Sequence, residues 1–191
     1  MQEIVIKRSV WFAVILMMMH GCVTTGSYYI LSTVPSPAAT YMQNKKTIGI
    51  EKISVPKYLF KREIAIAKSN SEVVFLNDGT WAEDMDEGLT HRLIGFIQKK
   101  FHQPQVYAYP WGVDTQPNIK VRVQITRYIA QGNFVYLDAN WDIEDLQTHK
   151  SDAQLFSVSI PTKYDTKNIV DAMDKAFGKL EEDIAKGIHR F

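Results

Sequence analysis

Side chains able to do chemistry are sparse in this 191-residue chain. It has one cysteine, Cys22, and four histidines downstream of it: His91, His102, His149 and His189. None of these histidines is paired at a metal-ligand spacing such as H-E-x-x-H, and no further cysteine is available to help. His91 and His102 fall on or just after a helical pattern whose apolar stripe excludes them, the placement of solvent-facing histidines. The densest carboxylate group is Glu83, Asp84, Asp86 and Glu87. It could be an acid/base pair or a cation site, but in the first turns of a helix the positive end of the dipole is a sufficient reason for it. No G-x-S-x-G elbow, P-loop or G-x-G-x-x-G is present. The expectation is a non-enzymatic protein with no catalytic residue, cofactor or metal.

Cys22 gains its meaning from what precedes it. Lys7 and Arg8 are followed by an uncharged apolar run from Val10 to Met19, and the small residue Gly21 stands directly before the cysteine. This is the layout of a secretory signal: basic head, short apolar stretch, small-residue cleavage site. A bilayer span needs about 20 apolar residues, so the run reads as a segment that is removed. Loss of residues 1–21 takes Lys7, Arg8 and Glu3, leaving 20 basic and 20 acidic residues. A neutral chain without a Lys/Arg cluster argues against nucleic-acid binding. The remaining 170 residues suit one domain with a real core, and no cysteine is left for an internal disulfide.

A cysteine after a small residue at the end of an apolar stretch resembles the lipobox of bacterial lipoproteins, whose thiol takes a diacylglycerol. Gly21 and Cys22 match it, Met19 is a tolerable apolar residue, and His20 stands where a small uncharged residue is usual. A buried free thiol behind an ordinary signal or an uncleaved anchor is the alternative. The domain expectation is a signal peptide over 1–21, a lipidated tether over 22–27 and one folded domain over 28–191.

The elements that carry the rest are legible from periodicity. Tyr28 to Leu31 favours a strand that Pro35 and Pro37 end. Lys45 to Val55 alternates Ile48, Ile50, Ile53 and Val55, with a slip at Glu51-Lys52, and stops at Pro56. Tyr58 to Ala67 reads as a second extended segment. Glu72 to Leu76 reads as a short strand closed by a turn at Asn77-Asp78-Gly79. Trp81, Met85, Leu89, Leu93, Ile97 and Phe101 recur every four residues, so a helix is expected from Trp81, entered at Thr80 or Asn77, with Lys99 and Lys100 near its end and Pro104 stopping it. Ile119 to Ile129 and Phe134 to Ile143 alternate around Gln131-Gly132-Asn133, a hairpin. Leu155 to Ile160 is a further strand. Thr166 to Ile188 is an amphipathic helix with Asp174, Glu181 and Lys186 on its polar side. The fold class is α/β: a single domain with a mixed, largely antiparallel sheet of six or seven strands and two main amphipathic helices packed on it.

Two stretches could face a partner. Pro56, Tyr58 and Leu59 form a loop-like apolar segment, with strand termination the alternative reading. Trp81 and Glu83 mark the helix start, where Trp81 is either an anchor on the sheet or an exposed contact.

In order and spacing, Tyr28-Tyr29-Ile30-Leu31, the segment Ile48 to Leu59, Trp81-Ala82-Glu83, Trp141 and Val170 to Ala176 resemble the ABC-type transport auxiliary lipoproteins, over nearly all of the mature chain. The resemblance implies an outer-membrane lipoprotein anchored through Cys22 and facing the periplasm. Its implied partners are an MCE-domain protein bridging the envelope and an inner-membrane transporter, with a homo-oligomeric ring plausible. The implied role is lipid or other hydrophobic-substrate traffic and envelope integrity. Val23 rather than Asp after the anchor points to outer-membrane delivery. A structural or pilotin-like lipoprotein of another envelope machine is the alternative.

Overall fold

The computed structural model describes residues 26–42, 46–112 and 116–191; Cys22 and the signal stretch lie outside them. The longest elements form where alternation is longest. β6 (Ile119–Gln131) and β7 (Phe134–Asp145) pair antiparallel around a tight turn, in which Gly132 takes φ 57, a value costly for residues with a Cβ. β8 (Ser151–Pro161) pairs antiparallel with the far side of β7.

On its other side β6 carries two parallel neighbours at opposite ends. β2 (Ile48–Ile50) lies against its start and β3 (Glu63–Ala67) against its end. β5 (Val106–Ala108) extends the sheet beyond β2, while β4 (Val73–Trp81) and β1 (Ser27–Tyr29) extend it beyond β3. The result is one open mixed sheet of eight strands. Helix α1 (Met85–Phe101) and helix α2 (Thr166–Ile188) pack on it and on each other, α2 across β7 and β8, α1 against β5. Apolar residues of both helices and the inward side chains of the hairpin, Val135, Leu137, Trp141 and Ile143 among them, form the core. The single-domain α/β expectation is met, with eight strands rather than six or seven.

Several boundaries differ from the sequence reading, each for a tertiary reason. Asn77-Asp78-Gly79 is not a turn but the middle of β4. There Gly79 pairs with Ser27, and the Asp78 carboxylate accepts the Thr166 hydroxyl at 2.6 Å. Trp81 therefore ends a strand, and the helix starts four residues later with Asp84 as its extended N-cap. His102, in the left-handed conformation, closes α1 before Pro104 is reached. Of the segment read as one strand to Val55, only Ile48–Ile50 is laddered; Ser54 makes a lone bridge to Gln124. The expected extended segment from Tyr58 opens as a 3-10 turn, Lys57–Phe60, before β3.

Candidate partner-binding surface and the buried ion cluster

The five residues singled out by sequence fall in two groups. In the 3-10 turn, Leu59 is buried at 3% exposure. Tyr58 is half-buried, and its hydroxyl accepts the Tyr128 backbone N–H at 2.9 Å beside the bulge in β6. Burial pushes the Tyr58 hydroxyl above its ordinary pKa. Pro56 is half-buried, whereas Lys57 and Phe60 are exposed. The turn is thus a plug whose outer side is Lys57 and Phe60.

Trp81 and Glu83 form the second group. Trp81 is 3% exposed, so it is a core anchor rather than a surface contact, and its Nε1 is buried without a hydrogen-bond partner. Its backbone N–H donates to the Arg62 carbonyl at 2.7 Å, joining the β4 end to the chain just beyond the 3-10 turn. Glu83 is half-buried. Its Oε1 accepts the Ser32 N–H at 3.3 Å, and it lies over Gly88, where a Cβ would sit 2.7 Å from that oxygen. The neighbouring Asp86 carboxylate is also engaged, with Lys52 at 2.9 Å. Among the described residues no group of His, Cys, Asp and Glu could hold a metal ion.

Glu83 is the first of a series of fasteners on the arm that follows β1. Residues 31–41 run along α1 from one end to the other. Arg92 Nη1 donates to the Leu31 carbonyl at 3.1 Å, and Lys99 Nζ donates to the Val34 carbonyl at 2.9 Å. Val34 lies so close over Gly95 that a Cβ there would be 2.7 Å away. Tyr41 donates its N–H to the Lys100 carbonyl at 2.7 Å and stacks on His189 at 4.1 Å. The segment that follows β1 is thereby strapped to both helices.

The strap reaches a cluster that sequence reading missed. Arg92 is 1% exposed and Glu181 is 0% exposed, and Nε and Nη2 of Arg92 donate to the Glu181 carboxylate at 3.1 to 3.2 Å. A third partner, Asp174, accepts from Nη1 at 2.5 Å, and the guanidinium lies over the Phe177 ring. Burial works against the Arg92 charge, but the Glu181 and Asp174 carboxylates outweigh it and hold its pKa above the ordinary value. Burial also pushes the Glu181 carboxyl up to about 7, against the pull of Arg92. Glu181 was expected on the polar side of α2, yet it faces the core. It stands four residues after Phe177 and next to Leu180, inside the apolar spacing, and Arg92 stands likewise beside Leu89, Leu93 and Phe96. A charge in phase with an apolar stripe on each of two helices was the available signal.

A family model for the ABC-type transport auxiliary lipoprotein component matches residues 29–185. The chain belongs to this family. It is a family of lipoprotein components that assist ABC-type transport, not one of enzymes. A crystal structure of an uncharacterized protein superposes with a TM-score of 0.67 at 20% identity, covering 86% of this chain and 99% of that one. Protein XCC0632 from Xanthomonas campestris, of family DUF330, gives 0.67 at 14% identity over 84% and 92% of the two chains. These likenesses show the fold. No curated protein matches the chain.

Proposed function

We propose that this auxiliary lipoprotein is a non-enzymatic adaptor of an MCE/ABC-type intermembrane transport system. In this reading residues 1–21 are removed, Cys22 is acylated and inserted in the outer membrane, and the domain faces the periplasm. There it works with an MCE-domain protein and its inner-membrane transporter in hydrophobic-substrate traffic, as a monomer or a homo-oligomeric ring, and contributes to envelope integrity. The observation that carries the adaptor role is the strap: Glu83, Arg92 and Lys99 fasten the segment leading from the tether to α1, so a pull on the anchor is borne by the folded core rather than by a loose linker. For the partner surface, Pro56 and Tyr58 remain, with Lys57 and Phe60 as the exposed contacts, while Leu59 and Trp81 support that surface from inside.

The test is a crosslinked pull-down of the full-length, membrane-extracted protein with partners identified by mass spectrometry. Recovery of an MCE-domain protein, reduced by Phe60→Asp, is the expected result. A different envelope machine in the eluate, or the protein with itself alone, overturns the reading in favour of a structural or pilotin-like role. Unchanged recovery with Phe60→Asp removes the turn from the interface.

A further inference from the structure

β8 is an edge strand that lacks the usual protection. It pairs with β7 without a register shift from Phe134↔Pro161 to Glu144↔Ser151, and its other side carries no strand among the described residues. Natural sheets guard such edges with short length, bulges, lysines or prolines, because unpaired backbone groups template another strand. β8 runs for 11 residues. Its proline is terminal, and its one charge, Asp152, is held by Arg190 at 2.7 Å. The pairing register directs Phe156, Val158 and Ile160 toward α2 and Ala153, Leu155 and Ser157 to the open face, where Leu155 is 89% exposed.

Between this edge and α2 lies a groove of 630 Å³ with Phe156 and Ile160 on its floor. The carboxylates on its α2 wall are engaged: Glu182 pairs with Lys100 at 2.7 Å, and Asp183 accepts the Trp141 Nε1–H at 2.9 Å. Lys175, Lys179 and Lys186 line the same wall, are exposed, and show no ion pair among the described residues. Lys100 neutralises Glu182, and the three lysines outnumber the one remaining carboxylate, Asp183, so the groove is apolar below and net positive along its rim.

We propose that β8 is the docking site for an extended, acidic segment of a partner protein, which joins the sheet as an additional strand. Main-chain hydrogen bonds to β8 supply the pairing, and alternate side chains supply the selectivity. On one face, carboxylates of the added strand meet Lys175, Lys179 and Lys186; on the other, apolar side chains lie beside Leu155. A second copy of this chain is a poor occupant. Its β8 offers no carboxylate except the Arg190-bound Asp152, and two-fold antiparallel pairing sets both lysine rows on the same side of the joined sheet. The proposal does not depend on the transport reading, and a pull-down without an MCE-domain protein leaves it intact.

The probe is a synthetic peptide of alternating Glu and Val, as long as β8, titrated into the full-length detergent-extracted protein at low salt. Controls are its Lys/Val counterpart and the acidic peptide with every second amide N-methylated. The acidic peptide is expected to bind and to slow amide exchange in β8, and N-methylation is expected to abolish both effects. Lys175→Glu with Lys179→Glu is expected to weaken binding about tenfold or more. Acidic and basic peptides binding alike overturn the proposal. So does binding that survives N-methylation, which is charge adhesion without strand pairing. Concentration-dependent protection of β8 without peptide also overturns it, in favour of a second copy.

Discussion

Arg92 and Glu181 each sit within the apolar stripe of their own helix, and Arg92 is the cation that Glu181 is paired with, so removing Arg92 strands the Glu181 carboxyl in the core. Arg92→Leu is expected to destabilise the fold by about 3 to 5 kcal/mol, the usual cost of leaving one partner of a buried pair uncompensated. At this chain length that is a fall in melting temperature on the order of 10 °C, read by circular dichroism. Adding Glu181→Leu to the same chain should recover most of the loss. The pair also sets a pH dependence. Folding raises the Glu181 carboxyl from its ordinary 4.5 to about 7, so the folded state holds the proton more tightly. Stability from this group is fully present below pH 4.5 and is lost as pH rises through about 7. Asp145 acts in the opposite sense: the Lys46 ammonium and the Thr148 and Gln147 N–H groups hold it well below the ordinary 3.8, so its contribution is present above that pH and is lost in acid. Urea unfolding across pH 3 to 8 checks both. Glu181→Gln should flatten the limb from pH 4.5 to 7 and leave the acid limb in place.

At the scale of elements, α2 comes close to the sheet where Gly187 lies against β7. A Cβ at this position would lie 2.6 Å from both Trp141 and Ile143. Helix propensity alone favours alanine there by about 1 kcal/mol. Overpacking outweighs that gain, and Gly187→Ala is expected to destabilise by about 1 to 3 kcal/mol in urea titration; equal or greater stability would show that Trp141 repacks without cost. Elements with long, clean periodicity were legible beforehand. The Thr166–Ile188 helix agrees to the residue, and the β6–β7 hairpin agrees apart from two further residues at the C-terminal end of each strand. The bounds of the other strands were not, and β5 was not read at all. Asn77-Asp78-Gly79 has the chemistry of a turn, but Phe75 before it and Thr80 after it pair with β3, and Gly79 pairs with Ser27 of β1, about fifty residues earlier, so it stays in the strand as a bulge. Trp81 kept the four-residue spacing of the helix stripe while ending the preceding strand, because the chain bends into α1 only after Glu83.

For the whole molecule, the strap joins the segment after β1 to the two helices. If the N-terminal reading is right, the membrane-extracted protein lacks residues 1–21 and carries acyl mass on Cys22. Intact-mass spectrometry checks this, and an unmodified thiol would falsify lipidation. Cys22→Ser should then release the domain from the membrane fraction with its thermal unfolding unchanged. What the sequence determined by itself was whatever rests on neighbours along the chain: the two amphipathic helices, the alternating hairpin and the α/β class. These follow from local periodicity and flanking charge, which need no knowledge of the fold. Only the tertiary structure decided the ion cluster, the strap and the bare edge of β8. Arg92 and Glu181 are 89 positions apart, and Arg92 and the Leu31 carbonyl 61. Chain folding alone brings such groups within hydrogen-bond reach, and the place of β8 at the margin of the sheet follows from the order of the strands, which no residue of β8 encodes.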